Sequence, residues 1–94
     1  MRPDSERGDM EEHNPRLKAA ILETVENQLK SGEPPETRET LARLEREGFS
    51  EEDARVLLGQ AVAVEIWCVL KEKKPFNRER FVRNLRNLPA QPEG

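Results

Sequence analysis

Apolar residues recur at spacings of three and four along four segments of the chain, which is the period of one face of an α-helix. The first segment begins at Pro15, behind the side-chain cap Asn14, and ends at Gly32. The second opens at Pro35 and reaches Glu47. No segment alternates in the manner of a strand rich in β-branched residues. The sequence therefore predicts an all-α fold, a compact four-helix domain over residues 14–88.

The third segment, from Glu51 to about Glu72, is apolar almost all round. A helix of this kind is normally enclosed by other helices or shared with a partner chain. We therefore predict that it is the central helix of the domain. We also predict that the three shorter helices leave part of this helix uncovered. The uncovered part is a candidate interface, formed by Val56, Ala63, Trp67 and Leu70.

The junctions between helices carry local signals. Gly48 stands where a helix ends in the left-handed conformation, and Phe49 is placed to cover that end. Ser50 then caps the third helix. Asn77 caps a short fourth helix, where Phe76 is expected to pack against a side chain one turn into the helix, that of Phe81.

The two ends of the chain differ from its middle in composition. Residues 1–13 and 89–94 are polar and lack a hydrophobic period, so we expect a disordered arm and a disordered tail. No apolar run behind Met1 resembles a signal peptide, and the mean hydropathy of −0.91 predicts no membrane span. A single cysteine, Cys68, fits a reducing compartment. A cytoplasmic location is therefore expected.

Few residues are suited to catalysis. His13 is the single histidine, and it lies in the acidic arm beside other carboxylates. No His, Cys or carboxylate set has the spacing of metal ligands, and the five glycines are too scattered to form a phosphate-binding loop. We expect no catalytic residue, no cofactor, no metal and no enzyme activity.

Glu65 is an unusual residue, because the helical wheel places it on the buried face of the third helix. An unpaired buried carboxylate is costly, so it is expected either to be paired or to have a raised pKa. A proton or metal site is one interpretation. An ion pair with Arg16, Lys18, Arg38 or a neighbouring chain is the other, and we favour it because structural pairs perturb carboxylates as readily as active sites do.

Charge is distributed unevenly along the chain. Residues 1–53 hold 8 basic and 15 acidic side chains, whereas residues 54–94 hold 8 basic and 4 acidic ones. The fourth helix carries a candidate anion-binding stripe formed by Arg80, Arg83 and Arg86. An overall pI of about 5.3 opposes binding to nucleic acid, which is therefore the alternative hypothesis.

Two motifs stand out in the first half of the chain. They read Val25-Glu26-Asn27-Gln28-Leu29 and Pro35-Glu36-Thr37-Arg38-Glu39-Thr40-Leu41, and further matching positions run to Pro75-Phe76. With them the chain resembles a family of short bacterial helical proteins, a domain of unknown function, over most of residues 14–88. The resemblance implies a helical fold and brings no activity or cofactor with it.

The same resemblance implies a cluster that this chain lacks. Many members of the family carry histidines at the positions of Leu22, Glu52 and Val56, where they have the spacing of metal ligands. Only Glu26 and Gln28 of that cluster remain here. We therefore expect no metal at this place, and we expect Leu22 and Val56 to belong to the core.

These observations favour a non-enzymatic domain that acts by association. A domain of this size rarely gains more than about 3–5 kcal/mol from its own core, and oligomerisation is a common supplement. The leading hypothesis is a protein-protein interaction module that binds a second copy of itself. Nucleic-acid or phosphate binding is the alternative, and an enzyme or metal protein ranks last.

Overall fold

The computed structural model describes residues 15–93, and these form four α-helices joined by short turns. They contain no strand, so the predicted all-α four-helix domain is confirmed. His13 and the predicted cap Asn14 lie outside the described residues. The helices are α1, Pro15–Ser31; α2, Pro35–Arg46; α3, Glu51–Glu72; and α4, Arg78–Asn87.

Helix α3 is the centre of the fold, because it contacts each of the other three helices. The approach of α1 is close at Gly59, where a Cβ atom would lie 3.2 Å from Ile21 Cγ2. The absence of a side chain at this position therefore lets the two helices meet. The fully buried apolar residues come from all four helices and the turn after α4: Val25, Leu44, Ala54, Leu58, Ala61, Val62, Phe81, Leu85 and Leu88.

The turn between α2 and α3 has the predicted geometry. The Phe49 N–H donates to Leu44 O and the Gly48 N–H to Glu45 O, which are the two hydrogen bonds of a Schellman motif. Gly48 has φ +106, a conformation that an L side chain rarely adopts. The Ser50 hydroxyl then accepts from the Asp53 N–H at 3.0 Å, so it caps α3 as expected.

The turn between α3 and α4 brings the short last helix back against the central one. Lys73 ends α3 in the left-handed conformation, with φ 59. The Asn77 side chain accepts from the Arg80 N–H at 2.9 Å, which confirms the predicted cap of α4. The rings of Phe76 and Phe81 meet edge to face at 5.2 Å, as the spacing predicts.

Arginine and asparagine side chains join the ends of the helices to one another. Arg38 donates to Leu29 O at the end of α1, and Arg43 donates to Leu88 O just beyond α4, so carbonyls without a helical partner are satisfied. Asn84 exchanges two hydrogen bonds with the backbone of Glu93 and so holds that part of the tail against α4. No helix in residues 15–93 is both long and apolar enough to span a bilayer.

Candidate interaction surface

An apolar strip runs along the outer side of α3. Val56 is 51% exposed, Trp67 53% and Leu70 63%, and Ala63 between them is half-buried. With exposed Gln60 these positions follow one another at spacings of four, three, four and three, which is the spacing of a coiled-coil seam. We call the five side chains the α3 seam: Val56, Gln60, Ala63, Trp67 and Leu70.

The seam is exposed because α1, α2 and α4 all pack on other sides of α3. The fully buried side chains of α3, with Leu58, Glu65 and Cys68 among them, point away from the seam. The expectation that Leu22 and Val56 belong to the core is wrong, since both side chains are exposed. They lie on outer faces of α1 and α3, where no described helix covers them.

The two ends of α3 carry opposite charges. Its first turn holds Glu51, Glu52 and Asp53, and its last turn and C-cap hold Lys71 and Lys73 beside the single acidic residue Glu72. Glu51 pairs with Arg55 one turn along the helix. Within the described part of the chain, no ion pair engages Glu52, Asp53, Lys71 or Lys73.

Glu65 is fully buried and is held by the beginning of α4. Arg80 Nε donates to Glu65 Oε2 at 2.6 Å, and Arg80 Nη2 donates to Oε1 at 3.0 Å. The Asn77 N–H donates to the same Oε1 at 2.9 Å. An ion pair is therefore present, but the partners expected from the sequence were wrong: Arg80 takes the place proposed for Arg16, Lys18 or Arg38.

The protonation of Glu65 follows from this arrangement. Burial by itself raises the pKa of the carboxyl, whereas the hydrogen bonds from Arg80 and from the Asn77 N–H, with the Arg80 charge, lower it. The lowering effects prevail, so the pKa of Glu65 lies below its ordinary value of 4.5. The hydrogen bond to Glu65 in turn raises the pKa of Arg80. The pair is charged at neutral pH, which is unsuited to a proton donor.

The structure separates the three arginines of the predicted anion-binding stripe. The Arg80 side chain is 14% exposed and committed to Glu65. Arg83 and Arg86 are exposed and line an open recess along α4 that also includes Arg78 and the acidic Glu79. The recess therefore holds three arginines, but Arg78 lies 3.8 Å from the carboxylates of Glu33 and Glu36, and Glu79 adds a further negative charge. These carboxylates make it a weaker phosphate site than the sequence predicts.

The two residues that the resemblance assigns to a metal cluster, Glu26 and Gln28, have structural partners. Glu26 pairs with Arg55 across α1 and α3, and Gln28 Oε1 accepts from the Thr37 hydroxyl at 2.8 Å. No group of three or more metal-ligating side chains occurs among residues 15–93.

Comparisons with protein-family models, curated proteins and solved structures found no match to this chain. The resemblance to the family of short bacterial helical proteins therefore stays a prediction. The functional interpretation depends on the chain's own geometry, in which the α3 seam contains three of the six large apolar side chains that are exposed among residues 15–93.

Proposed function

We propose that this chain is a non-enzymatic cytoplasmic module that self-associates through the α3 seam. The observation that carries the proposal is the alignment of Val56, Trp67 and Leu70, each more than half exposed, on one face of the central helix. Hydrophobic residues make up only 34% of the sequence. A small domain that leaves these side chains in water gains no stability from burying their apolar surface. Buried, free Cys68 fits a reducing compartment.

Trp67 is the residue expected to dominate the contact. Tryptophan is enriched among the side chains that contribute most to protein interfaces, and its large flat surface loses little conformational entropy on binding. It lies near the middle of the C-terminal half of the seam, flanked by Ala63 and Leu70. A half-buried alanine beside it allows another helix to approach closely.

The test is sedimentation equilibrium of the full chain over a wide range of concentrations. We expect a reversible monomer–dimer equilibrium, and we expect Trp67→Ala to weaken it about tenfold or more. Val69→Ala is the matched control, because Val69 is an exposed apolar residue of α3 that lies off the seam. A wild-type chain that stays monomeric at the highest concentration would overturn the proposal, as would equal effects of the two substitutions.

A further inference from the structure

We infer that the second copy packs antiparallel on the α3 seam, with a two-fold axis beside Ala63 and the acidic end of each α3 against the lysine end of the other. This inference rests on the proposed self-association and adds the orientation of the partner. A two-fold contact uses the same patch on both copies, so the patch must complement itself when it is reversed. The seam meets this condition in the spacing of its side chains and in the charges at its two ends.

Two apolar side chains at the ends of the seam, Val56 and Leu70, are placed symmetrically about Ala63. Val56 lies seven residues before it and Leu70 seven residues after it, which is about 10 Å in each direction along a helix. In an antiparallel pair, Val56 of one copy therefore packs against Leu70 of the other. Trp67 lies opposite the region of Gln60, whose long side chain can pack along the indole ring.

The charges at the two ends of α3 are opposite in sign. Asp53 and Glu52 lie in its first turn, ten and eleven residues before Ala63, whereas Lys73 is its C-cap and Lys74 follows directly on that cap. An antiparallel pair brings opposite charges together at both ends, and it also opposes the two helix dipoles. A parallel pair would place acid against acid and lysine against lysine.

These charges are available to a partner because the fold makes little use of them. Glu52, Asp53 and Lys73 are exposed, and no ion pair of residues 15–93 includes them. Lys74 has one long contact, 3.9 Å to Glu72. An acidic first turn and a basic last turn also stabilise α3 itself, but that effect is the same in either orientation of a partner.

Cysteine cross-linking tests the orientation directly. Val56→Cys and Leu70→Cys are prepared separately, one of them with a short tag that changes its size, and mixed under mild oxidation. We expect a disulfide-linked dimer of the two different variants, and little linkage when either is alone. The wild-type chain is the control, because Cys68 is buried. Linkage of each variant to itself would show a parallel pair and overturn the inference.

Charge reversal gives a second readout of the same orientation. Glu52→Lys and Lys74→Glu are each expected to weaken self-association about three- to tenfold, and the double variant is expected to restore it, because its ends are again complementary. Circular dichroism verifies that each variant stays helical. If Trp67→Ala dissociates the dimer but neither single reversal weakens it, the proposed orientation is overturned and the proposed self-association still holds. A monomeric wild-type chain would overturn both.

Discussion

At the scale of single residues, Glu65 shows how a buried charge is accommodated in a small helical domain. Its two oxygens accept three hydrogen bonds, two from the Arg80 guanidinium and one from the Asn77 N–H. The last of these satisfies a backbone group at the beginning of α4, where the helix offers no partner. The carboxylate therefore fixes the position at which the beginning of α4 packs against α3.

The burial of Glu65 could be predicted from the helical wheel, but its partner could not. Arg80 is fifteen residues further along the chain, and it reaches Glu65 only because the turn through Lys73 reverses the chain direction. A left-handed lysine has no strong sequence signal, since lysine has no special preference for that conformation. The same turn removed Arg80 from the anion-binding stripe that the sequence predicts.

Replacing the carboxylate tests this role. We expect Glu65→Gln to lower the free energy of unfolding at pH 7 by about 1–3 kcal/mol, because a neutral amide leaves Arg80 without its counter-charge. The folded-state pKa of Glu65 lies below 4.5, so its stabilising effect is complete above that pH and is lost as the pH falls through the folded-state pKa. Urea unfolding should therefore show a difference between wild type and variant that shrinks in acid.

The exposed Glu72→Gln is the control for that experiment. It removes a carboxylate from the same helix without breaking a buried pair, so we expect a change within about 0.5 kcal/mol. A Glu65→Gln variant with wild-type stability at pH 7, or a difference that grows in acid, would contradict the assigned role.

At the scale of elements, the helix ends were the most predictable part of the fold. The Schellman turn at Gly48 and the caps Ser50 and Asn77 are fixed by local chemistry, because each depends on residues within one turn of the chain. The contacts between elements were less predictable. Arg43 joins α2 to the carbonyls beyond α4, across more than forty residues, and no local pattern indicates that bond.

The turn at Gly48 allows its backbone cost to be measured separately from packing. A Cβ atom at this position would meet nothing within 4 Å, so Gly48→Ala creates no clash. The positive φ alone should lower the free energy of unfolding of the Gly48→Ala variant by about 1–2 kcal/mol. Gly48→Asn is the control, because asparagine tolerates the left-handed region better and should lose less. Thermal unfolding at a single protein concentration measures both, and an alanine variant as stable as wild type would contradict the expectation.

At the scale of the whole molecule, the fold has one central helix and three shorter ones that cover it incompletely. The sequence predicts this imbalance, since the apolar surface of α3 exceeds what three short helices can bury. It does not predict which apolar positions of the other faces stay exposed. Leu22 and Val69 are apolar residues of α1 and α3, yet both are exposed. The crossing angles of the helices decide which side chains are covered, and a helical wheel contains no information about those angles.

If the exposed seam binds a second copy, the stability of the whole chain must depend on its concentration. A partner that binds the folded state and not the unfolded chain stabilises the fold by mass action. We therefore expect the wild-type Tm to rise with protein concentration, and the Trp67→Ala Tm to stay nearly constant. High salt should reduce the wild-type rise, because it screens the exposed charges at the ends of α3. Differential scanning calorimetry over a hundredfold range of concentration measures these trends. A wild-type Tm independent of concentration would mean that the seam is not used between copies.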